Sequence, residues 1–259
     1  MQRNGTIYTI LFTAGVCGIC SILVSGAAVG LRSRQQANQV LDRRKQVLAV
    51  AGLTTAEMTM SAAQINQTFE ENIKPRIVNL QTGEYDDSID PAKFNQREAA
   101  ADPARSRSAP PNPSGILRLP NQALIFHVIR EGKIDQIILP VEGRGLWSKL
   151  YGYLSLDVDT NTVRGLTFYE HGETPGLGGE IENPRWQGLW PGRKVYTGEW
   201  VPAVRVIKGQ AGPPETDPHR VDGLSGATLT SRGVENLINF WLGEDGFGPY
   251  LRRVREKGI

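Results

Sequence analysis

From Gly5 to Leu31 the chain runs for 27 residues without a charged side chain. As a helix rising ~1.5 Å per residue this stretch is about 40 Å long, more than the ~30 Å hydrocarbon core of a bilayer. A signal peptide, a membrane anchor and a buried core helix all begin from such a run. The apolar region of a signal peptide is usually about 7–15 residues and ends in small residues at a cleavage site. Ser25-Gly26-Ala27-Ala28 offers small residues, yet apolar sequence continues through Val29 and Leu31. The pattern therefore predicts a retained single-pass transmembrane anchor over residues 1–31. Ala37, Val40, Leu41, Val47, Leu48 and Ala51 keep a helical period beyond it, and Gly52 is placed to end that helix.

Residues 32–85 read as a helical connector and the start of a soluble domain. Thr54-x-x-Glu57 has the form of a capping box opening a second helix, whose apolar face would hold Met58, Ala62, Ile65 and Phe69. A short strand is predicted near Ile77–Leu80, turning at Thr82-Gly83. Residues 86–114 are rich in Asp, Arg, Ala and Pro and lack apolar periodicity, so a long surface loop is expected there.

Residues 115–259 change to a β pattern. Leu124–Ile129 and Ile134–Val141 flank Glu131-Gly132, a hairpin signal; Tyr153–Val158 and Val163–Tyr169 flank Asp159-Thr160-Asn161, a second one. Val201–Ile207 alternates imperfectly and predicts another strand. Val234, Leu237, Ile238, Trp241 and Leu242 recur at helical spacing, predicting a helix over Thr230–Leu242 closed by Gly243. The fold class expected is α+β: one transmembrane helix, then a mixed domain with an antiparallel sheet and flanking helices.

Composition adds limits. The 29 Lys+Arg against 27 Asp+Glu give a net charge of +2, which argues against a general nucleic-acid binder. Both cysteines, Cys17 and Cys20, lie inside the apolar run, so the rest of the chain holds no disulfide. Their C-x-x-C spacing fits a metal or redox pair, and equally two small polarizable residues packing against neighbouring helices. Charges flanking the run are Arg3 on one side and Arg32, Arg34, Arg43, Arg44 and Lys45 on the other. By the positive-inside rule alone, the large domain would be cytoplasmic.

Two stretches carry candidate chemistry. His171-Gly172-Glu173-Thr174-Pro175-Gly176-Leu177-Gly178-Gly179-Glu180 follows a predicted strand, and its glycines let backbone amides approach a flat or phosphorylated ligand. It fits neither G-x-G-x-x-G nor the Walker A pattern, so ordinary dinucleotide or nucleotide binding is unsupported. Asp222-Gly223-Leu224-Ser225-Gly226-Ala227-Thr228-Leu229-Thr230-Ser231 leads into a predicted helix. Its hydroxyls suit N-capping first and contact with an anion second. The G-x-S-x-G elbow of a hydrolase is absent.

Taken together these segments resemble a known family. Asp222-Gly223 before Ser225-Gly226-Ala227-Thr228 is similar to the motif at which an exported flavin transferase esterifies FMN to a threonine. Glu173-Thr174-Pro175-Gly176-Leu177-Gly178 resembles the companion loop of the same FMN-binding domain. With the apolar run, Gly145-Leu146-Trp147-Ser148 and the tail from Trp241 to Tyr250, nearly the whole chain is similar to the NqrC family of the sodium-translocating NADH:quinone reductase. The resemblance implies a covalent FMN on Thr228, ahead of the rival hydroxyls Thr230 and Ser231. Ser225, Gly226 and Ala227 complete the attachment unit, and Asp222 is either read by the transferase or supports the turn. Glu173, Thr174, Leu177 and Gly178 would contact the flavin, Lys208 its phosphate, and Leu146 and Trp147 either the ring or the core.

The family also implies a reaction and a place. Flavin would supply the redox chemistry, so no catalytic acid, base, nucleophile or protein-built metal site is expected. Electrons would reach this FMN from an iron–sulfur centre in neighbouring subunits, then pass to a second covalent FMN and to ubiquinone, coupled to Na⁺ export. The NADH site, the quinone pocket and the ion path would lie in the other subunits of the reductase (A, B, D, E and F), and activity would require the complex. A transferase acting on the exported side implies a periplasmic domain anchored in a bacterial inner membrane, against the vote of the flanking charges. Alternatives are the homologous flavin subunit of an Rnf-type complex and a non-redox membrane anchor or assembly subunit.

Overall fold

A computed structural model describes residues 5–54 and 58–258. The chain divides into two units at Arg43/Arg44. Helix α1 (Thr6–Val50) has 45 residues, about 67 Å at ~1.5 Å per residue, and is long and apolar enough to cross a membrane. In the first unit its apolar side chains, Ile10, Phe12, Ile19, Ile22 and Leu23 among them, are exposed. That is the opposite of a buried core helix. Cys17 and Cys20 are exposed and unbridged on it.

The second unit begins with the last turns of α1, where Val47, Leu48 and Val50 are buried. Gly52, at φ +68°, ends the helix; its amide donates to Ala49 and the amide of Leu53 to Leu48, the left-handed cap that glycine favours. Helix α2 (Ala62–Asn72) opens later than the sequence pattern suggests. Ser61 and Gln64 cap it reciprocally, and Ile65 and Phe69 form its buried face. Met58 is exposed, and Glu57 of the expected capping box lies outside the described residues. Two boxes of similar form lie a few residues apart, and the one next to the buried stripe opens the helix.

Strand β1 (Ile73–Asn79) follows directly. The 86–114 stretch, expected as a loop, contains α3 (Gln96–Ala101) and β2 (Ser106–Ser108); β2 pairs with β3 (Arg118–Pro120). These pieces are too short to show a period, and side chains tie them to the sheet. Gln96 accepts the amide of Leu124, while Arg97 pairs with Glu170 and lies 3.5 Å from the Tyr151 ring centroid.

Strands β4 (Gln122–Arg130), β5 (Lys133–Arg144), β6 (Lys149–Asp157) and β7 (Val163–Glu170) complete an antiparallel sheet in the order β1-β4-β5-β6-β7. Both hairpins form where the turn residues place them, with Glu131, Gly132 and Thr160 at positive φ. Residues of opposite parity along β5 face opposite layers. On one face, Gly143 admits Leu237 of helix α5 (Thr228–Leu242), and Trp241 donates to the Glu142 carbonyl. On the other, Gln136 donates to the Ala51 carbonyl and Gly165 lies against Val50.

A segment between β7 and α5 carries a 3₁₀ turn at Gly178–Glu182, helix α4 (Pro184–Gln187) and a parallel pair, β8 (Arg205–Ile207) with β9 (Arg220–Asp222). The strand expected over Val201–Ile207 is thus three residues long. Its first part is taken by a turn in which the Thr197 amide donates to Val201, and Pro202 has no amide hydrogen to offer a ladder. Helix α5 starts two residues before the predicted Thr230. A further helix, α6 (Gly248–Lys257), buries Tyr250, Leu251 and Val254.

Candidate functional site

Three loops meet at the N-terminal end of α5. The first joins β9 to α5. The Gly223 amide donates to the Ile207 carbonyl at 2.6 Å, and a Cβ there would lie 2.5 Å from that oxygen, so only glycine fits. Asp222 braces the same turn: its Oδ1 accepts the Ala211 amide and its carbonyl accepts the Trp186 indole N–H, each at 2.8 Å. Ser225 and Gly226 are exposed, Gly226 at φ +72°. Ala227 is the N-cap of α5, and no side chain caps that helix. Alanine is a poor cap, so the first-turn amides lack the usual side-chain acceptor.

Thr228 is therefore the first residue of α5, and it is exposed. Thr230 and Ser231 are buried. Thr230 Oγ1 donates to Glu173, and Ser231 Oγ accepts the Leu224 amide. The Thr228 side chain lines a cleft of about 440 Å³ together with Ser225, Gly226, Asp222 and the exposed Lys208, which follows β8.

The second loop leaves β7. His171 Nδ1 accepts the Glu173 amide at 3.2 Å, and the Gly172 amide donates to Ser148 Oγ at 2.6 Å. Thr174 is exposed, and its carbonyl accepts the amides of Leu177 and Gly179, curling the chain into the 3₁₀ turn. Leu177 is exposed, with Cδ2 3.0 Å from where a Cβ on Gly226 would stand. Gly178 is buried; a Cβ there would meet Thr230 Oγ1 at 2.5 Å and Glu173 Oε2 at 2.8 Å.

The third loop, residues 145–148, joins β5 to β6. Leu146 and Trp147 point outward, Trp147 at 72% exposure, so neither is a core residue. Glu173, only 5% exposed, links this loop to α5. Its Oε1 accepts the amides of Trp147 (2.9 Å) and Ser148 (3.2 Å); its Oε2 accepts the Leu146 amide (3.2 Å) and the Thr230 hydroxyl (2.6 Å). Burial pushes this carboxyl up, but the donors from Thr230, Trp147, Ser148 and Leu146 outweigh it and hold the pKa below the usual glutamate value.

The structure thus gathers Leu146, Trp147, Glu173, Thr174, Leu177, Gly178, Ser225, Gly226, Ala227 and Thr228 around one helix end, with Lys208 across the adjoining cleft. Sequence reasoning missed the parts of Thr230, Ser148 and Gly145, which anchor these loops. Their signal was weak: a threonine read as a rival acceptor, and a serine and glycine in a four-residue connection.

An apolar, exposed platform beside an uncapped helix end, with a lysine across a cleft, defines a domain suited to an aromatic ligand bearing a phosphate. Consistent with that class, residues 145–243 match the family described as FMN-binding domain. A relative from Yersinia pestis, the NqrC subunit of the Na(+)-translocating NADH-quinone reductase, is 48% identical over 254 residues, 97% of this chain and 94% of its own length. The corresponding subunit from Pseudomonas aeruginosa is 44% identical, over 98% of each chain. The crystal structure of NqrC from Shewanella oneidensis superposes with a TM-score of 0.77 at 33% identity, covering 86% of this chain and 99% of that one. That of the same subunit from Parabacteroides distasonis gives 0.66 at 30% identity, covering 85% and 96%. The chain belongs to the NqrC family, one of the subunit families of the Na(+)-translocating NADH-quinone reductase.

Proposed function

We propose that this chain is an electron-carrying flavin subunit of a membrane Na⁺-translocating NADH:quinone oxidoreductase, with its FMN joined by a phosphoester to Thr228. The observation that carries the attachment site is the contrast among neighbouring hydroxyls. Thr228 is exposed at the first position of a helix that no side chain caps, whereas Thr230 and Ser231 are buried and engaged within the fold.

The residues present fit the group. A phosphate on Thr228 would supply the acceptor that the α5 amides lack, where the helix dipole also favours negative charge. Lys208 lines the same cleft and offers a cation to it. Ser225 and Gly226 line the cleft beside Thr228, and Leu177 stands where a side chain at 226 would reach. Leu146, Trp147 and Leu177 offer the exposed apolar surface an isoalloxazine would need, with Thr174 and Gly178 shaping the loop between. When bound, FMN would supply the redox chemistry, and these residues would hold it.

The family's other subunits would provide the NADH, quinone and ion sites, and the family also favours this complex over an Rnf-type one. The reading includes an exported, periplasmic placement of the second unit, because a transferase acting there must reach Thr228. Charges flanking the apolar run favour the other side, so protease treatment of intact spheroplasts is informative: digestion of the domain is expected, and protection would overturn the placement. For the carrier role, chain co-expressed with its flavin transferase should give a band that fluoresces under ultraviolet light after denaturing electrophoresis. A dark band from folded protein would refute a covalent carrier.

A further inference from the structure

We propose that Glu173 is a positioning residue: it holds the exposed pair Leu146 and Trp147 in register with Thr228 without touching the cofactor. The inference rests on reading Thr228 as the flavin-bearing residue, and goes beyond it by giving this carboxylate a separate task.

A carboxylate has about four lone-pair positions on its two oxygens. Here four donors occupy them: the amides of Leu146, Trp147 and Ser148 and the hydroxyl of Thr230. Two glycines complete the enclosure, since a Cβ on Gly145 would lie 2.6 Å from Oε1 and one on Gly178 would lie 2.8 Å from Oε2. No acceptor position remains for a ligand.

The donors come from separate parts of the chain. Three belong to the connection that presents Leu146 and Trp147. The fourth belongs to the first turn of α5, two residues beyond Thr228. A buried charge with this many partners is costly to disturb, because each lost bond strands a donor out of water. It therefore makes a stiff link between the apolar platform and the helix end. Thr228 takes no part in the link, so attachment and positioning are separable.

The chemistry specifies how the link breaks. Glutamine has one oxygen and an NH₂ group that donates. In Glu173→Gln the NH₂ can face Thr230, whose hydroxyl can turn to accept, but then it opposes the Leu146 amide. That variant keeps the bonds from Trp147 and Ser148 and releases Leu146. Thr230→Val removes only the tie to α5.

The test uses the full chain, co-expressed with its flavin transferase and purified in detergent, as wild type, Glu173→Gln and Thr230→Val. Attached flavin is read by fluorescence of the denatured band. Ring shielding is read from iodide quenching of the native flavin and from its midpoint potential, and folding from far-ultraviolet circular dichroism. The expected result is attached flavin in both variants, with a several-fold larger quenching constant, a shifted potential and unchanged secondary structure. Quenching and potential equal to wild type in a folded variant would overturn the proposal. So would loss of flavin from a folded variant, because Glu173 would then serve attachment. If Glu173→Gln fails to fold, Thr230→Val alone decides. Wild type without flavin on Thr228 would instead sink the functional reading.

Discussion

The backbone amide of Leu224 donates to the Ser231 hydroxyl at 2.9 Å, folding the glycine-rich turn back onto the helix it opens. Ser231 is thus a structural hydroxyl despite standing only three residues from the proposed attachment site. Ser231→Ala would leave the Leu224 amide buried without an acceptor, a loss of about 1–3 kcal/mol. Thermal unfolding should register that loss, while flavin on the denatured band stays at the wild-type level.

Lys208 is exposed and lines the cleft of Thr228. Its contribution would be electrostatic and open to screening by salt. Lys208→Met is expected to slow flavin attachment several-fold without abolishing it, with less difference from wild type at high ionic strength. Time courses of in-gel fluorescence at two salt concentrations check this.

Gly233, in the second turn of α5, faces the end of β5. Replacing an interior helical glycine by alanine usually gains about 1 kcal/mol. Here the added Cβ would lie 2.5 Å from the Arg144 carbonyl and 3.2 Å from the Gly145 Cα. Overpacking of this kind costs about 1–3 kcal/mol, so Gly233→Ala should lower the unfolding midpoint. A raised midpoint would show that α5 can move away from β5.

His127 lies buried in β4, with Nε2 2.9 Å from Tyr250 Oη and Tyr85 close by. Burial, then the charges of Arg76 and Lys74, push its pKa down from 6.5 to about 4. The folded state therefore holds a neutral imidazole that the unfolded chain protonates first. Its contribution is fully present above pH 6.5 and is lost as the pH falls towards 4. The shift corresponds to roughly 3 kcal/mol as an order of magnitude. Urea unfolding across this window should show wild type losing stability faster than His127→Leu; parallel slopes would contradict the assignment.

Much of this was legible in the sequence because it rests on local chemistry. An uncharged run marked the first part of α1, and Glu131-Gly132 and Asp159-Thr160-Asn161 marked two hairpins whose turns need positive φ. The α5 stripe was visible as Val234, Leu237, Ile238 and Trp241. Helix α3 and strands β2 and β3 were not, because three to six residues carry no period and α3 is held by distant partners such as Leu124 and Glu170; of the strand expected over Val201–Ile207 only the last three residues form. The site residues were named from a family motif, but their division of labour was not. That Thr230 faces inward while Thr228 faces outward depends on α5 beginning at 228, and on a carboxylate 57 residues away in the chain.

The central claim is the phosphoester at Thr228, and trypsin offers a direct measurement. Cleavage after Arg220 and Arg232 releases residues 221–232, a peptide holding Ser225, Thr228, Thr230 and Ser231. Fragmentation of this peptide from chain purified with its complex should place the mass of FMN, less one water, on Thr228 alone. The same mass on Ser225, Thr230 or Ser231, or an unmodified peptide from flavin-containing protein, would contradict the account.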